Sequence, residues 1–336
     1  RTTVARHDDA GRMFSIAASR GVRLSGVRPL SSATRQRLSG SDSSLDAWRE
    51  HALAFETEIK RAVIGQERAI RLLLITLFAR GHALLEGDVG VGKTTLLRAL
   101  ARVLGGDYER IEGTVDLMPN DLVYHTYIDQ QGRPAVEPGP LLKHGERLAT
   151  FFFNEVNRAR PQVHSLLLRV MAERSVNAFN RDHRFPHLQV FADRNRVERE
   201  ETFELPAAAR DRFLMELNIA LPAARESQRQ LLADTRFFDV DRLIEGLEPG
   251  ILPFEELNAV AARIQQSVGS SPAIEDYALD LCAATRDPAA FGIVLDGVDM
   301  QRLVLSGVSP RGMAMLMRAA RVAAWLDARE VLLPED

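Results

Sequence analysis

A glycine-rich stretch at residues 87–95, GDVGVGKTT, limits the possible folds of this chain more than any other segment. It fits the pattern GxxxxGK[ST], follows the apolar run 83–85 and opens a segment with helical spacing at 95–103. In such a loop, glycines let backbone N–H groups turn inward around phosphate oxygens, and the start of the helix adds positive potential. The stretch therefore predicts a strand–loop–helix unit that binds a nucleoside triphosphate.

Each residue of this loop has an expected role. Lys93 is expected to contact the β and γ phosphates, and Thr94 is expected to hold Mg²⁺. The other predicted nucleotide-binding residues of the loop are Gly87, Asp88, Val89, Gly90, Val91, Gly92 and Thr95. The expected cofactors are therefore ATP and Mg²⁺.

A second apolar run, FFFNEVN at 151–157, carries the acidic residue that hydrolysis of ATP requires. Glu155 is placed to polarise the attacking water. Asn154 stands where an aspartate usually helps to hold Mg²⁺. Because its amide has the shape of a carboxylate but no charge, we expect weaker coupling to Mg²⁺ without loss of the fold. Thr94 and Asn154 are therefore the expected metal-site residues.

Short apolar runs alternate with helical segments along the first two thirds of the chain. The candidate strands are at 83–86, 109–111, 149–153, 188–192 and 213–219. This alternation predicts an α/β fold, a parallel sheet with helices on both faces. After Pro222 the apolar periodicity is helical, at 255–268, 274–285 and 311–328. We therefore predict an N-terminal extension at 1–45, an α/β nucleotide-binding domain at 46–222 and an α-helical domain at 223–336.

Composition disfavours several classes of protein. The net charge is −3, which gives no general attraction to nucleic acid or to an anionic membrane. The single cysteine, Cys282, excludes an internal disulfide and favours a reducing, cytoplasmic compartment. No uncharged stretch approaches the roughly 20 residues that span a bilayer. We therefore expect neither a nucleic-acid partner nor a membrane span.

A series of motifs, in a fixed order, makes the chain resemble the MoxR family of AAA+ ATPases from about residue 60 to residue 336. The motifs are VIGQE at 63–67, the phosphate loop, TVDLMPND at 114–121, EPGPL at 137–141, EVNRA at 155–159, LPAAARDRF at 205–213 and SPR at 309–311. The phosphate loop alone indicates only a nucleoside triphosphatase, whereas the ordered series is specific. The resemblance implies a P-loop AAA+ core with a parallel five-stranded sheet, followed by a small α-helical lid.

The resemblance also implies roles for residues outside the phosphate loop. Asn195 resembles the sensor-1 residue, which touches the γ-phosphate or positions water. Arg212 resembles the arginine finger that a neighbouring subunit inserts, since a guanidinium neutralises charge on the transferred phosphoryl group. Arg311 resembles the sensor-2 arginine, which reaches back from the lid to the phosphates. Ile64 and Gly65, from the first motif, are expected to contact the nucleotide.

The surroundings of Asn195 depart from the family pattern. The family usually has Thr-Gln before this asparagine and Pro after it, whereas here Asp193-Arg194 precede it and Arg196 follows it. The detailed geometry of this position is therefore expected to differ from that of the family.

Two inserted segments are candidates for contact with a partner. The segment 114–143 is too long for a simple crossover and predicts an extra hairpin and helix, and the segment 176–185 predicts a polar hairpin. In the resemblance they match the helix-2 insert and the insert before sensor 1. Both would project on one face of a ring, where a partner chain could be engaged; the alternative is that they are packed surface loops.

Three functional hypotheses follow. The leading one, implied by the resemblance, is a homo-oligomeric ring, hexameric, that uses ATP to activate or mature a client metalloenzyme. Such family members commonly act with a partner that carries a von Willebrand factor A domain, and similarity to the methanol-oxidation branch implies methanol dehydrogenase as the client. The alternative is a nucleotide-gated assembly scaffold with weak or no turnover, because Asn154 is neutral. A DNA-remodelling protein is disfavoured, since the chain lacks a basic stripe with interleaved aromatics.

Overall fold

The computed structural model describes residues 44–195, 202–294, 296–297, 304 and 306–336. Nearly all of the predicted extension at 1–45 lies outside these residues. Ser44 caps the first helix, α1, because its hydroxyl oxygen accepts a hydrogen bond from the Ala47 N–H at 3.2 Å. The helix itself starts at Leu45, one residue before the predicted start of the α/β domain.

The predicted five-stranded parallel sheet is confirmed. The strands of the described chain are β1 (Ala83–Glu86), β2 (Asp107–Glu112), β3 (Tyr124–Ile128), β4 (Pro134–Pro138), β5 (Leu148–Asn154), β6 (Ser175–Ala178), β7 (Arg181–Arg184), β8 (Gln189–Arg194) and β9 (Met215–Asn218). The central sheet has the order β2-β5-β8-β1-β9, and all of its pairings are parallel. The remaining strands form two separate antiparallel hairpins.

Helices cover the sheet and form most of the C-terminal part. Those in the described residues are α1 (Leu45–Lys60), α2 (Glu67–Phe78), α3 (Lys93–Leu104), α4 (Pro119–Val123), α5 (Pro161–Glu173), α6 (Ala207–Arg210), α7 (Arg225–Ala233), α8 (Val240–Glu245), α9 (Leu257–Ser267), α10 (Pro272–Arg286) and α11 (Pro310–Leu326). None of these described helices is long and apolar enough to cross a lipid bilayer.

The sequence of β5 explains its central position. Every residue of this strand is buried, as expected of an inner strand of a parallel sheet that is covered on both faces. Parallel strands place their carboxyl ends at one edge, so the polar residues that end them come together. Glu112 at the end of β2 is in register with Asn154 of β5, and Glu86 of β1 is in register with Arg194 of β8. The candidate site forms at this edge.

The C-terminal helices pack against α1 and α2 and share their core. The ring of Trp325 in α11 lies 5.0 Å from that of Phe78, which lies 6.4 Å from that of Trp48 in α1. One cluster of buried apolar side chains contains these three residues together with Leu85 of the sheet and Leu257 of α9. The predicted boundary at 222–223 therefore stays a prediction about domains, since no separate apolar core marks it in the described residues.

Both inserted segments form the expected hairpins. The first contains the short helix α4 and the β3–β4 hairpin, and the second is the β6–β7 hairpin. The ring of Tyr124 in β3 lies 5.0 Å from that of Phe179, in the turn of the second hairpin. The two hairpins therefore lie on the same side of the molecule, with exposed apolar side chains at Ile128 and Phe179.

Candidate functional site

The phosphate loop connects β1 to α3, as its motif predicts. Gly90 and Gly92 have φ angles of 81° and 91°, in the left-handed region that glycine adopts without strain. A Cβ atom built on either would meet no other atom within 4 Å, so both face open space. At Gly87, by contrast, a Cβ would lie 2.1 Å from the carbonyl oxygen of Ile219. Only glycine fits there.

The loop carries unpaired hydrogen-bond donors. In the described part of the chain, the backbone N–H groups of Val89, Gly90, Gly92 and Lys93 have no hydrogen-bond acceptor. The loop lines a pocket of about 270 Å³ together with Asn154, Glu155, Asp193 and Asn195. Because free N–H groups before and within the first turn of a helix attract phosphate oxygens, the phosphate chain of a nucleotide fits this pocket.

Lys93 is held inside this pocket by oxygen atoms. Its side chain is only 6% exposed, and its ammonium donates to the carbonyl oxygens of Gly87 at 2.7 Å and Asp88 at 3.0 Å, and to Oδ1 of Asn195 at 2.6 Å. It also lies 3.8 Å from Oδ2 of Asp193. The positive charge is therefore fixed under the loop, where phosphate oxygens would compete for it.

Glu155 has a strained backbone that its neighbours stabilise. Its φ of 51° lies in the left-handed region, which costs a non-glycine residue on the order of 1 kcal/mol. Its N–H donates to Oδ1 of Asp193 at 2.6 Å, and its own Oε1 accepts from Nδ2 of Asn195 at 3.1 Å. Arg158 pairs with Oε2 at 3.0 Å. These contacts aim the carboxylate toward the pocket from the end of β5.

Asp193 is the residue of this site that sequence analysis missed as a functional group. It is 2% exposed and contacts both Lys93 and the Glu155 backbone. Burial raises the pKa of Asp193 to about 6, an effect opposed by the Glu155 N–H and by the charge of Lys93. The available signal was an acid near the end of an apolar strand, two residues before Asn195, the spacing that places two side chains on the same side of an extended chain. Arg196, which follows Asn195 in the chain, lies outside the described residues.

Asn154 has a partner that explains the absence of a carboxylate. Its Nδ2 donates to Oε1 of Glu112 at 2.7 Å, across the β2–β5 pairing. An aspartate in this position would bring two carboxylates together, and like charges directly opposite each other in a sheet are destabilising. The neutral amide and Glu112 thus form a matched pair.

The oxygen atoms of the site suit Mg²⁺. Thr94, Asn154, Glu155 and Asp193 all line the pocket, and hydroxyl, amide and carboxylate oxygens are the ligands that this hard cation prefers. Among the described residues no group of three or more His, Cys, Asp or Glu side chains could hold a metal ion by itself. This agrees with the usual behaviour of Mg²⁺, which binds through few protein groups together with phosphates. Thr94 and Asn154 would hold it next to the phosphates.

Arg212 and Arg311 lie together, away from the phosphate loop of their own chain. Neither is among the residues that line the phosphate-loop pocket. Arg311 pairs with Asp211 at 2.6 Å, and the Ser309 hydroxyl donates to the same carboxylate. The start of α11 is therefore fixed beside Arg212. In this conformation the predicted sensor-2 arginine is a neighbour of the predicted arginine finger and does not contact the loop.

These two arginines line a strongly basic pocket of about 510 Å³. Its arginines are Arg80, Arg174, Arg212, Arg311 and Arg318, against the single carboxylate of Glu173. Burial, and then the charges of Arg174 and Arg318, lower the pKa of Arg80 to about 9. The Nε of Arg212 is buried without a hydrogen-bond partner in the described residues. The arrangement fits an anionic group, and we call it the arginine pocket.

The structure does not bring Ile64 and Gly65 to the phosphates. Gly65 has a φ of 70°, and a Cβ built on it would lie 2.5 Å from Cβ of Pro222. The next residue, Gln66, donates to the carbonyl oxygen of Ala220 at 2.6 Å. Neither Ile64 nor Gly65 lines the phosphate-loop pocket, so their contact with a nucleotide stays a prediction.

Comparisons with known proteins show which family this chain is similar to. Residues 82–215 match the model of the ATPase family associated with various cellular activities (AAA), and residues 300–336 match that of the AAA lid domain. Protein MoxR of Methylorubrum extorquens is 63% identical over 295 residues, 88% of this chain and 86% of that protein. Protein MoxR of Paracoccus denitrificans is 58% identical, over 88% of this chain and 87% of that protein.

More distant similarities extend the comparison. Chaperone MoxR1 of Mycobacterium tuberculosis is 33% identical, over 83% of this chain and 70% of that protein. A crystal structure of a protein from Cytophaga hutchinsonii, assigned as an ATPase, superimposes with a TM-score of 0.69 at 29% identity. That similarity covers 87% of this chain and 86% of the other.

Proposed function

Because this chain belongs to the MoxR family of AAA ATPases, we propose that it hydrolyses ATP at the phosphate loop as one subunit of a homo-oligomeric ring. One observation carries this proposal: a single residue, Asn195, directly after β8, joins the phosphate-binding and water-activating groups. Asn195 accepts a hydrogen bond from Lys93 and donates one to Glu155. A change at the phosphates can therefore reach Glu155 through one side chain.

The residues divide the work of the reaction. The loop N–H groups and Lys93 would bind and orient the triphosphate, and Asn195 would hold Lys93 and Glu155 at a fixed separation. Glu155 would orient the attacking water and accept its proton. Mg²⁺, when bound at Thr94 and Asn154, would supply positive charge that offsets the negative charge of the phosphates.

The arginine pocket supports completion of the site by a neighbouring subunit. Arg212 and Arg311 do not line the pocket that contains Lys93, yet they concentrate positive charge at one place on the surface. We propose that both face the nucleotide of the next subunit in a hexameric ring. Asp211 contacts Arg311 directly, so the lid helix α11 would move together with Arg212.

This arrangement predicts that ATP hydrolysis depends on assembly. The specific activity is expected to rise steeply as the protein concentration increases and to reach a plateau, because isolated subunits lack the guanidinium groups of a neighbour. Steady-state hydrolysis and light scattering, measured on the same samples, check this expectation. Specific activity that stays constant while the particle mass changes would contradict a site completed in trans.

The finer function that we propose is activation or maturation of a client metalloenzyme in the cytoplasm, with a von Willebrand factor A domain protein as partner. It is supported by the identity to Protein MoxR of Methylorubrum extorquens and by the relative named Chaperone MoxR1. Methanol dehydrogenase is the proposed client. Isolation of the ATP-bound complex from the native cell, followed by mass spectrometry, tests this, and absence of any metalloenzyme would count against it.

A nucleotide-gated scaffold is the second candidate function. The observation that favours it is the neutral side chain of Asn154, which faces Glu112 and adds no charge to the metal site. The two candidates differ in one measurement on the unmodified protein. A scaffold would assemble on ATP with negligible release of phosphate, whereas a motor would release phosphate continuously from the assembled state.

A further inference from the structure

We propose that Asp193 supplies the negative charge that couples Mg²⁺ to the nucleotide in this site, in place of a carboxylate at position 154. The inference rests on the proposed function, since it concerns the same phosphate loop. It assigns a purpose to a buried acid that the hydrolysis scheme above does not use.

The first argument is that position 154 is committed to another contact. The Asn154 amide donates to Glu112 at 2.7 Å, and backbone pairing fixes the two residues opposite each other. An aspartate at 154 would have to tolerate the carboxylate of Glu112 at this separation. Position 154 therefore adds no charge to the metal site. The other acid at the end of β5, Glu155, is paired with Arg158 at 3.0 Å and is assigned to the attacking water, which leaves Asp193 as the remaining carboxylate of the pocket.

The second argument is the position of Asp193. It belongs to β8, which pairs directly with β5, and it lines the same pocket as Thr94 and Asn154. Alternation along a strand puts it on the face that also carries Asn195. A carboxylate this deeply buried is costly unless a cation or several donors compensate it. The groups that do so here are the Glu155 N–H at 2.6 Å and Lys93 at 3.8 Å.

Lys93 is an incomplete partner for this acid. At 3.8 Å from Asp193 it is beyond hydrogen-bond distance, and its donors go to Gly87, Asp88 and Asn195. When Lys93 turns to phosphate oxygens, the carboxylate of Asp193 is left without a nearby cation. The metal that accompanies the triphosphate has the required charge.

Glu112 is the competing source of charge, and its surroundings disfavour it. Its side chain is 54% exposed, it pairs with Arg110 at 3.0 Å, and it does not line the phosphate-loop pocket. Its attraction for a cation in the pocket is therefore screened by water and by an arginine. Asp193, by contrast, is buried and lines the phosphate-loop pocket itself.

The test is the effect of Mg²⁺ on nucleotide affinity in the variant Asp193→Asn. The amide oxygen can still accept from the Glu155 N–H, so the substitution removes charge and keeps the contact. A fluorescent ATP analogue is titrated with Mg²⁺ and with EDTA. The unmodified protein is expected to bind the analogue more tightly with Mg²⁺ than with EDTA, and we call the ratio of the two affinities the Mg²⁺ gain. In Asp193→Asn the Mg²⁺ gain is expected to fall by about tenfold or more, as for other close charge pairs. In EDTA, the variant should bind the analogue as tightly as the unmodified protein or more tightly, because the negative charge of Asp193 no longer repels the phosphates.

The matched control is Glu112→Gln, which removes a carboxylate next to Asn154. It is expected to keep the Mg²⁺ gain. Loss of the gain in this variant rather than in Asp193→Asn would overturn the proposal. So would an Asp193→Asn variant that weakens binding equally with Mg²⁺ and with EDTA, since that is the signature of a structural role.

A charge-transfer variant guards against a folding defect. The double variant Glu112→Gln, Asn154→Asp restores a carboxylate at position 154 and removes the Glu112 carboxylate that would repel it. When Asp193→Asn is added to this double variant, the Mg²⁺ gain is expected to stay intact. Loss of the gain in that triple variant would contradict the idea that the two positions exchange one charge. If the unmodified protein bound no ATP in either buffer, the proposed function would fall as well; a Mg²⁺ gain that survives Asp193→Asn would overturn this inference alone.

Discussion

Replacing Arg212 with alanine is expected to lower ATP hydrolysis by the assembled protein about a thousandfold or more while leaving nucleotide affinity unchanged, the size of effect seen for arginine fingers. The side chain lies outside the phosphate-loop pocket of its own chain and beside a partly exposed pocket of other arginines. We therefore expect it to contribute to the reaction through the nucleotide of another subunit. Phosphate release and binding of a fluorescent ATP analogue, measured in parallel, separate the two effects.

Mixing of variants makes this prediction decisive. Arg212→Ala subunits still bind ATP, and Lys93→Ala subunits still carry Arg212, so a mixed ring contains complete sites at some interfaces. The mixture is expected to hydrolyse ATP faster than either variant alone. Arg229→Ala, which removes an exposed arginine of α7, serves as the control and should behave like the unmodified protein. A mixture no more active than the sum of its parts would argue that Arg212 does not act in trans.

Replacing Glu155 with glutamine is expected to reduce turnover by about a hundredfold to ten-thousandfold, the range for loss of a general base. The glutamine keeps the shape of the side chain and can still accept from Asn195, so ATP should bind with unchanged or greater affinity. The variant is therefore expected to accumulate as an ATP-bound assembly. Single-turnover hydrolysis and the nucleotide content of the purified assembly are the measurements.

The control for Glu155→Gln is Glu226→Gln, at a largely exposed carboxylate in α7. It should hydrolyse ATP at the unmodified rate. Turnover in Glu155→Gln within a few-fold of that rate would mean that the water is activated elsewhere in the site. Loss of ATP binding in Glu155→Gln would instead point to a structural role for the strained backbone at this position.

The strands β1 and β5 could be predicted most directly because their apolar runs are short and almost uninterrupted. The prediction at 83–86 coincides with β1, and the prediction at 149–153 lies within β5. The predicted strand at 188–192 ends at Ala192, whereas β8 continues to Arg194. The apolar run ends two residues before the strand does, because the carboxyl ends of these parallel strands carry the polar groups of the site.

The pairings between those polar groups could not be predicted. The contact of Asn154 with Glu112 depends on the register of β2 against β5, which no local pattern specifies. Arg212 and Arg311 lie close together because of how α11 packs against the core. Arg311 contacts Asp211, the residue next to Arg212, across a sequence separation of 100 residues. The family resemblance predicts a role for each arginine, but the fold determines that they share one pocket.

The nucleotide affinity of the purified protein tests the central claim, that Lys93 and the glycine loop hold a triphosphate. ATP is titrated into the unmodified protein and into Lys93→Ala, with Lys143→Ala, at an exposed lysine, as the control and thermal unfolding as a check on folding. Saturable binding by the unmodified protein and by Lys143→Ala, lost in a folded Lys93→Ala, is the predicted result. Equal affinity in all three proteins, or no binding by any of them, would contradict the account.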